Sequence, residues 1–380
     1  MIINLCLDSN YLLYKAVFIL KKTRTLKQDL ESLLYSDFNK LSKNYTFDNI
    51  YFVSDSTMSW RKMEYPEYKG NREKDDTIDW KFVYKTFEDF KSNIKKLPNV
   101  KFLEQSGLEG DDLIAHIIHE TNKLGESNVI VSSDCDLNQL LSYDLNKSCI
   151  NIQWNNKYSD ERLYLPQNYQ LLFEKLENET SDNIFDSDNS SDFLKYIESL
   201  IQRTKVKSII PEEIIFKKIV CGDTGDNVPT LIKIKDGKYD QNGRGIGKDG
   251  ADTVYKYYKD MYPGDIDFKS SSFVNNLIEI VIYYKKIKQT DLKEQMRKNI
   301  LFNIKMMVLD PEYMPTKVYE NMNQYFTEVR NDIKTNTLNL EKILEEKGFS
   351  KKESTEFIPE KFRIETENND SFDLDDYWEL

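Results

Sequence analysis

Glu109-Gly110-Asp111-Asp112-Leu113-Ile114-Ala115, followed by Val129-Ile130-Val131-Ser132-Ser133-Asp134-Cys135-Asp136, is the stretch whose reading decides the fold. An acidic cluster opens a helix and a second cluster closes an apolar run of strand length. Glu109, Asp111 and Asp112 suit a helix N-terminus, where unpaired N–H groups and the helix dipole favour negative charge. Val129 to Val131 reads as a buried strand, and in an open α/β sheet ligands gather beyond the carboxyl ends of strands, where Asp134 and Asp136 fall. Two carboxylates ~4 Å apart repel by roughly 4 kcal/mol at an effective dielectric near 20. Such a cluster therefore calls for a cation, and hard divalent ions with oxygen ligands are the matching type. A solvated acidic loop is the plainer reading of one cluster taken alone.

Working outward, the same pattern recurs. Ile2 to Leu7 is an apolar-rich run ending on Asp8, and Ile50 to Val53 is another ending at Ser54-Asp55. Leu30, Leu33, Leu34, Phe38 and Leu41 lie at helix-compatible spacing between them. Strands alternating with helices imply a parallel sheet, which brings acids from different strands to one edge. Next, Trp60 to Arg72 interleaves bases with aromatics: Arg61, Lys62, Tyr65, Tyr68, Lys69 and Arg72. Lys and Arg neutralise phosphates and a tyrosine ring can stack on a base, so the segment suits a lid that meets single strands. Composition weighs an ordinary basic surface loop equally. Phe82, Val83, Phe87, Phe90 and Ile94 then predict an amphipathic helix. His116 and His119, the only histidines, have no Cys or third His nearby to complete a zinc set. Any hydrolytic nucleophile is thus expected to be metal-bound water.

A second unit begins near Ile209, with a helix from Pro211 and then Gly222-Asp223-Thr224-Gly225-Asp226-Asn227-Val228-Pro229. Gly243-Arg244-Gly245-Ile246-Gly247-Lys248 fails the P-loop pattern, because Asn242 holds the first glycine position and Asp249 replaces Ser/Thr. A helical hairpin whose Gly245 and Gly247 let backbone N–H groups approach a phosphate fits better. An ordinary glycine turn is the alternative for this segment alone.

The chain has 380 residues and a formal net charge of −12. Residues 174–192 and 351–380 each carry a net −6, so the remainder is near neutral despite its acidic clusters and must hold basic surface elsewhere. The first of these stretches sits in a region expected to be an irregular acidic insertion. The four cysteines form no Cys-x-x-Cys pair, which predicts reduced thiols and a cytoplasmic setting. No spanning helix or signal peptide is expected, and so no membrane partner.

Taken in order, Asp8, Asp55, Tyr68-Lys69-Gly70-Asn71-Arg72, Glu109-x-Asp111-Asp112, Asp134-x-Asp136, Gly222-Asp223-x-x-Asp226 and Gly245-Ile246-Gly247 resemble the flap endonuclease and phage 5′-nuclease family, in particular its T-even-type ribonuclease H branch. The resemblance implies an α/β fold: a PIN-like parallel-sheet catalytic domain over residues 1–155 with a helical arch over about 60–98. A linker over 156–208 follows, then a mostly α-helical DNA-binding domain over 209–348 with a helix-three-turn-helix-like motif, and an acidic tail over 349–380. It also implies two Mg²⁺ ions, with Mn²⁺ as a substitute. Asp8, Asp55, Asp111 and Asp134 would hold one, and Asp136, Asp223 and Asp226 the second, with Glu109 and Asp112 binding directly or through water. Lys69 and Arg72 would act on the scissile phosphate. Arg61, Lys62, Tyr65, Tyr68, Gly245, Gly247 and Lys248 would meet nucleic acid, although Lys248 stands one place earlier than the family's lysine. The implied activity is 5′→3′ exonuclease and flap endonuclease cleavage of DNA with a free 5′ end or flap, and RNA primer removal from RNA–DNA hybrids, in phage-type replication or repair. If phage-encoded, the protein would work in the bacterial host cytoplasm. A PIN-type ribonuclease and a catalytically silent junction or replisome adaptor are the two other readings.

The last ten residues set Phe372, Leu374, Tyr377, Trp378 and Leu380 among acids, which suits a tether for a sliding clamp or single-strand-binding protein. Packing on its own protein, or fraying, is the plainer alternative. On the tether reading, deleting 371–380 leaves cleavage of a short flap unchanged and abolishes stimulation by the cognate clamp on a long primed template. Equal stimulation of both chains would rule the tether out.

Overall fold

The computed structural model describes residues 1–43, 45–157, 160–182, 188–235, 238–287, 292–332 and 340–347. The tail segment 371–380 lies outside them. In chain order the first part comprises β1 (Ile3–Asp8), α1 (Ser9–Thr23), α2 (Leu26–Lys43), β2 (Asn49–Val53), α3 (Trp60–Glu64), α4 (Trp80–Ile94), β3 (Val100–Leu103), α5 (Gly110–Lys123) and β4 (Ser127–Val131). After a 3₁₀ turn at Cys135–Leu140 come β5 (Ser142–Asp144), β6 (Cys149–Asn155), β7 (Arg162–Pro166), α6 (Gln170–Asp182), α7 (Asp188–Arg203) and β8 (Lys205–Ile209). The sheet runs β3-β2-β1-β4-β6-β7-β8, with β5 on β6. β1, β2, β3, β4 and β6 are parallel, and the strand order reverses at β1, so their carboxyl ends share one edge at a switch point.

Burial on both faces explains the continuous apolar runs. Leu5, Leu7, Ile50, Phe52, Val129 and Val131 face α1, α2 and α4, whereas Cys6, Tyr51, Val53 and Ile130 face α5. At the opposite, amino-terminal edge a polar device fixes the register. Asn49 donates to Asn4 (2.9 Å), Asn4 to Asn128 (3.2 Å) and Asn128 to Asn151 (2.7 Å), each between residues paired across neighbouring strands. A slip of one residue in any strand leaves buried amides unpaired, which costs more than the bonds themselves contribute.

The second part comprises α8 (Pro211–Cys221), a short hairpin of β9 (Ile234–Lys235) and β10 (Lys238–Tyr239), α9 (Lys248–Met261), α10 (Ser271–Lys285) and α11 (Leu292–Met307). Phe216, Val254, Phe273, Leu277, Met296 and Ile300 form its core. The chain then returns in α12 (Thr316–Asn331) and α13 (Leu340–Glu346). Among the described residues no helix is long and apolar enough to cross a membrane.

Three expectations need correction. The stretch 156–208 is not irregular: β7, α6, α7 and β8 extend the sheet, because Leu172, Leu176, Phe193, Ile197 and Leu200 are buried at helical spacing that the acid count obscured. The arch is narrower than 60–98, since α4 belongs to the sheet layer, with Phe90 against Tyr35, Phe38 and Phe52. Nor is 209–348 a separate unit. Met322 and Phe326 of α12 pack on the α5 face of the sheet and Ile343 and Leu344 of α13 on the other, because both helices carry apolar faces that the first part covers.

Phe326 lies against Tyr51 and His116, with ring centroids 6.0 and 5.1 Å away. Phe326→Ala should lower stability by about 3–5 kcal/mol in urea unfolding. A change below about 1 kcal/mol would show that α12 contributes little to the fold.

Candidate active site

The carboxyl edge of the sheet collects the acids. Asp8 ends β1 and caps α1, accepting from the Asn10 and Tyr11 N–H groups (3.0 and 3.1 Å) and from Ser132 Oγ (2.8 Å). Asp55, two residues past β2, accepts from Gly110 N–H (2.5 Å) and the Asn10 amide. Asp134 follows β4 and accepts from Asp136 N–H (2.7 Å). Asp111 projects from the first turn of α5 and has no cation or hydrogen-bond donor paired with it among the described residues.

The other acids are each paired with a base. Lys218, on α8, bridges Asp136 (2.6 Å) and Asp223. Lys69 reaches Glu109 (2.6 Å) and Arg72 reaches Asp226 (2.6 Å), while Tyr68 Oη donates to both Glu109 (3.2 Å) and Asp226 (2.9 Å). Arg61 is buried and pairs with Glu109 (3.0 Å) and Asp112 (2.8 Å). Local backbone holds this arrangement. Lys69 sits in the left-handed region (φ 53), its N–H bound to Asp226 O at 3.0 Å, so a conformation unfavourable for a lysine is retained by the contact it makes. Gly222, at φ 68, passes so close to Pro229 that a Cβ there would lie 2.3 Å from its carbonyl oxygen.

Electrostatics divides the acids into two sets. Burial, then Asp55, raises Asp8 to about 6, and burial, then Asp136, raises Asp134 to about 7. Asp111 is raised well above the usual range by burial and then Asp134. Desolvation by the cleft walls also raises Asp55, with Lys69 opposing. For Glu109 and Asp226, burial pushes upward, but Lys69 with Arg61 in one case and Lys69 with Arg72 in the other hold the group below its ordinary value. Among the described residues no three of these side chains form a ready-made cation cage. The donor chemistry nevertheless fits a hard divalent ion. The raised acids are oxygen donors that repel one another, and the Lys218 ammonium already stands as a cation between two of the rest.

Sequence reasoning and structure part at several residues. Arg61, Tyr65 and Tyr68 were expected to meet nucleic acid, yet Arg61 is committed to Glu109 and Asp112. Tyr65 packs edge-on to Phe302 (5.1 Å), and Tyr68 is 3% exposed. Asp112, expected as a ligand, is fully buried between Arg61 and Trp60 Nε1 (3.1 Å) and serves the helix cap by accepting from Glu109 N–H. Lys62 is exposed, as are Gly247 and Lys248 at the start of α9; a Cβ at Gly247 would meet only open space, whereas one at Gly245 would strike Thr230. Lys218 went unread. Its signal was position: a lysine in the last turn of the helix before Gly222-Asp223 lies within reach of the acid that follows, while its second partner, Asp136, is set by tertiary contact.

Residues 4–168 match the family described as the 5′-3′ exonuclease, N-terminal resolvase-like domain. Over these residues, under half of its length, the chain is similar to the 5′-nuclease family. A 5′-3′ exonuclease of Mycoplasmopsis pulmonis is 24% identical over 321 residues, covering 84% of each chain. One of Buchnera aphidicola is 26% identical over 164 residues, 41% of this chain and 54% of that protein, so the chain spans about half the length of the Buchnera relative. The fold is shared with the phage T5 D15 protein crystallised with metal ions, at a TM-score of 0.53 and 16% identity over 86% of this chain and 99% of that one. It is shared too with the T5 D15 flap endonuclease complex with DNA and metal ions, at 0.51 and 16% over 87% and 100%.

Raised acids make a stability statement. Between about pH 4 and 7 the native protein keeps protons on Asp8 and Asp134 that the unfolded chain has released, so their contribution is present in full below pH ~4 and lost as pH rises to ~7. A divalent cation held among these acids would offset that loss. In calorimetry the Tm rise on replacing EDTA with Mg²⁺ should be larger at pH 8 than at pH 5, and Asp134→Asn should raise the metal-free Tm at pH 8. Equal Mg²⁺ effects at both pH values would refute the electrostatic account.

Proposed function

We propose that this protein is a 5′-nuclease that hydrolyses phosphodiester bonds in a divalent-metal-dependent reaction, Mg²⁺ being the working ion and Mn²⁺ its substitute. Its substrates would be DNA with a free 5′ end or flap and RNA–DNA hybrids, during replication or repair. The observation that carries the reading is the gathering of Asp8, Asp55, Asp111 and Asp134 at one sheet edge without a paired base, with the Lys69 charge near enough to act on Asp55 and Asp111. Asp8, Asp55, Asp111 and Asp134 would hold one ion, and Asp136, Asp223 and Asp226 the second, with Glu109 binding directly or through water and Asp112 acting by fixing Arg61. Two such ions supply an activated water and stabilise charge on both the attacking and the leaving oxygen.

The chain's own residues account for the rest. Lys69 and Arg72 rest on Glu109 and Asp226, and an arriving phosphate offers them a new anionic partner in the same place. Because the Glu109 and Asp226 carboxylates hold Lys69 firmly protonated against burial, it keeps its charge through the reaction and can stabilise a phosphorane-like transition state without giving up a proton. Lys218 orients Asp136 and Asp223 toward each other across the two parts of the chain. Gly247 and Lys248 open α9 toward solvent and suit a duplex phosphate. A clamp or single-strand-binding partner and a cytoplasmic setting belong to the same proposal.

Asp111→Asn should remove cleavage of a labelled 5′ flap while leaving DNA affinity unchanged or improved, since it lessens repulsion of phosphate. Lys69→Ala and Arg72→Ala should each lower the single-turnover rate by about 10²- to 10³-fold with a smaller change in Kd. Wild-type turnover by Asp111→Asn in saturating Mg²⁺ would overturn the metal assignment, and a change in Kd alone would reduce Lys69 and Arg72 to docking residues.

A further inference from the structure

One row of residues paired across the sheet reads Tyr51, Cys6, Ile130, Gln153 and Tyr164, taken in turn from β2, β1, β4, β6 and β7. Side chains at paired positions project to one face. Gln153 is the one amide in that row, and it is fully buried. A glutamine is costly at such a position unless its polar atoms are bonded, and an apolar side chain would suit the row better. Its amide nitrogen is spent on two carbonyls just past the end of β4, donating to Ser132 O (3.2 Å) and to Asp134 O (2.7 Å). Two acceptors on that nitrogen fix which way the amide faces, since the reverse orientation would set its oxygen against both carbonyls. Its Oε1 has no hydrogen-bond partner among the described residues, so the side chain holds the two carbonyls even though a buried acceptor is left unpaired.

The ladder between β4 and β6 ends with Val131 opposite Trp154, and the segment from Ser132 to Asp136 lies beyond it. Within that segment Ser132 Oγ accepts from Asp134 N–H (3.1 Å) and donates to Asp8 (2.8 Å), while Asp134 accepts from Asp136 N–H (2.7 Å). Those bonds link the acids to one another, and carboxylate repulsion works against them. Gln153 instead ties the turn to an uncharged position inside a rigid strand.

We infer that Gln153 is a positioning residue for the metal site: its amide fixes the turn from Ser132 to Asp136, and so holds Asp134 and Asp136 in a set place relative to Asp8. This rests on the two-ion reading given above. Gln153 touches neither ion nor substrate, and acts as outer partners of metal ligands do, by orienting the groups that bind. Without its donor every acid is still present with its charge, but the turn that carries two of them is no longer held. Ion affinity then falls while attraction to nucleic acid does not.

The test is titration calorimetry of Mn²⁺ into the full chain and into a Q153M variant, which keeps the length of the side chain and removes the donor. Q153M should raise the Kd for Mn²⁺ by about 10- to 100-fold, and raise by a similar factor the Mg²⁺ concentration for half-maximal flap cleavage, with the flap Kd in EDTA unchanged. Q153N, whose amide is one methylene too short to span both carbonyls, should fall between Q153M and wild type, and carries the test if Q153M does not fold. N151A is the control. Asn151 lies two residues earlier on the same strand and face, is also buried, and bonds Asn122, Asn128 and Ser142, so its loss should lower Tm and leave Mn²⁺ affinity at the wild-type value. Wild-type Mn²⁺ affinity in folded Q153M or Q153N overturns the proposal, as does an equal loss of affinity in N151A or a wild-type chain that binds no Mn²⁺. A wild-type chain whose Mn²⁺ binding depends on Gln153 but which cleaves nothing would sink the nuclease reading and leave the positioning role standing.

Discussion

Carboxylate repulsion at a single sheet edge is the constraint from which much of this structure follows. Asp8, Asp55, Asp111 and Asp134 come from the ends of three strands and the start of one helix, and the parallel register leaves them no way to separate. The chain surrounds them with fixed cations. Arg61 secures Glu109 and Asp112, Lys69 and Arg72 cover Glu109 and Asp226, and Lys218 joins Asp136 to Asp223. These bases come from both parts of the molecule, so neutralising the acids also docks the helical part on the sheet. Asn71 donates to Thr224 O (2.7 Å) and Asn227 to Glu67 O (2.9 Å), adding uncharged stitches to the same junction.

Holding like charges together requires a frame that does not yield. The asparagine ladder locks register at the far edge of the sheet, where no ligand competes for its amides. Arg330 of α12 reaches Glu126, which also accepts from Asn4, so the returning helix is tied into that ladder. His116 lies buried between Tyr319 and Phe326, and burial lowers it to about 4; it is neutral near pH 7 and packs as an aromatic ring. Its neighbour His119 lines a cavity of about 450 Å³ between α5, α8 and the chain entering α12, well away from the acids.

Much of this was legible in the sequence because strand-end acids follow unmistakable apolar runs. Ile3 to Leu7, Ile50 to Val53 and Val129 to Val131 are strand residues buried on both faces, and the residue that leaves each strand is fixed by where the apolar run stops. Side chains whose task is set by tertiary contact were not legible. Arg61 and Tyr68 have the composition of a nucleic-acid surface, but buried acids nearby claim them instead. Leu172, Leu176, Phe193 and Ile197 were masked by the acids between them, since net charge is a sum and helical burial depends on spacing. The return of α12 was invisible because an amphipathic helix states that it has an apolar face and does not name the surface that covers it.

The pairing that stabilises the free protein also bears on how the proposed reaction would begin. Tyr68, Lys69 and Arg72 contact Glu109 from one side and Asp226 from the other, so this short segment bridges α5 and the loop after α8. A phosphate entering between them competes with two carboxylates for the same donors. A divalent ion entering below competes with the same bases for the same carboxylates. Each arrival would weaken a bond that opposes the other: with an ion held by Glu109 and Asp226, Lys69 and Arg72 would be free for phosphate, and with phosphate on Lys69 and Arg72 the two carboxylates would be free for the ion. By linkage the two bindings strengthen each other by a common factor. The basic segment therefore needs no large movement to act as a gate, only an exchange of partners among groups already within hydrogen-bond reach.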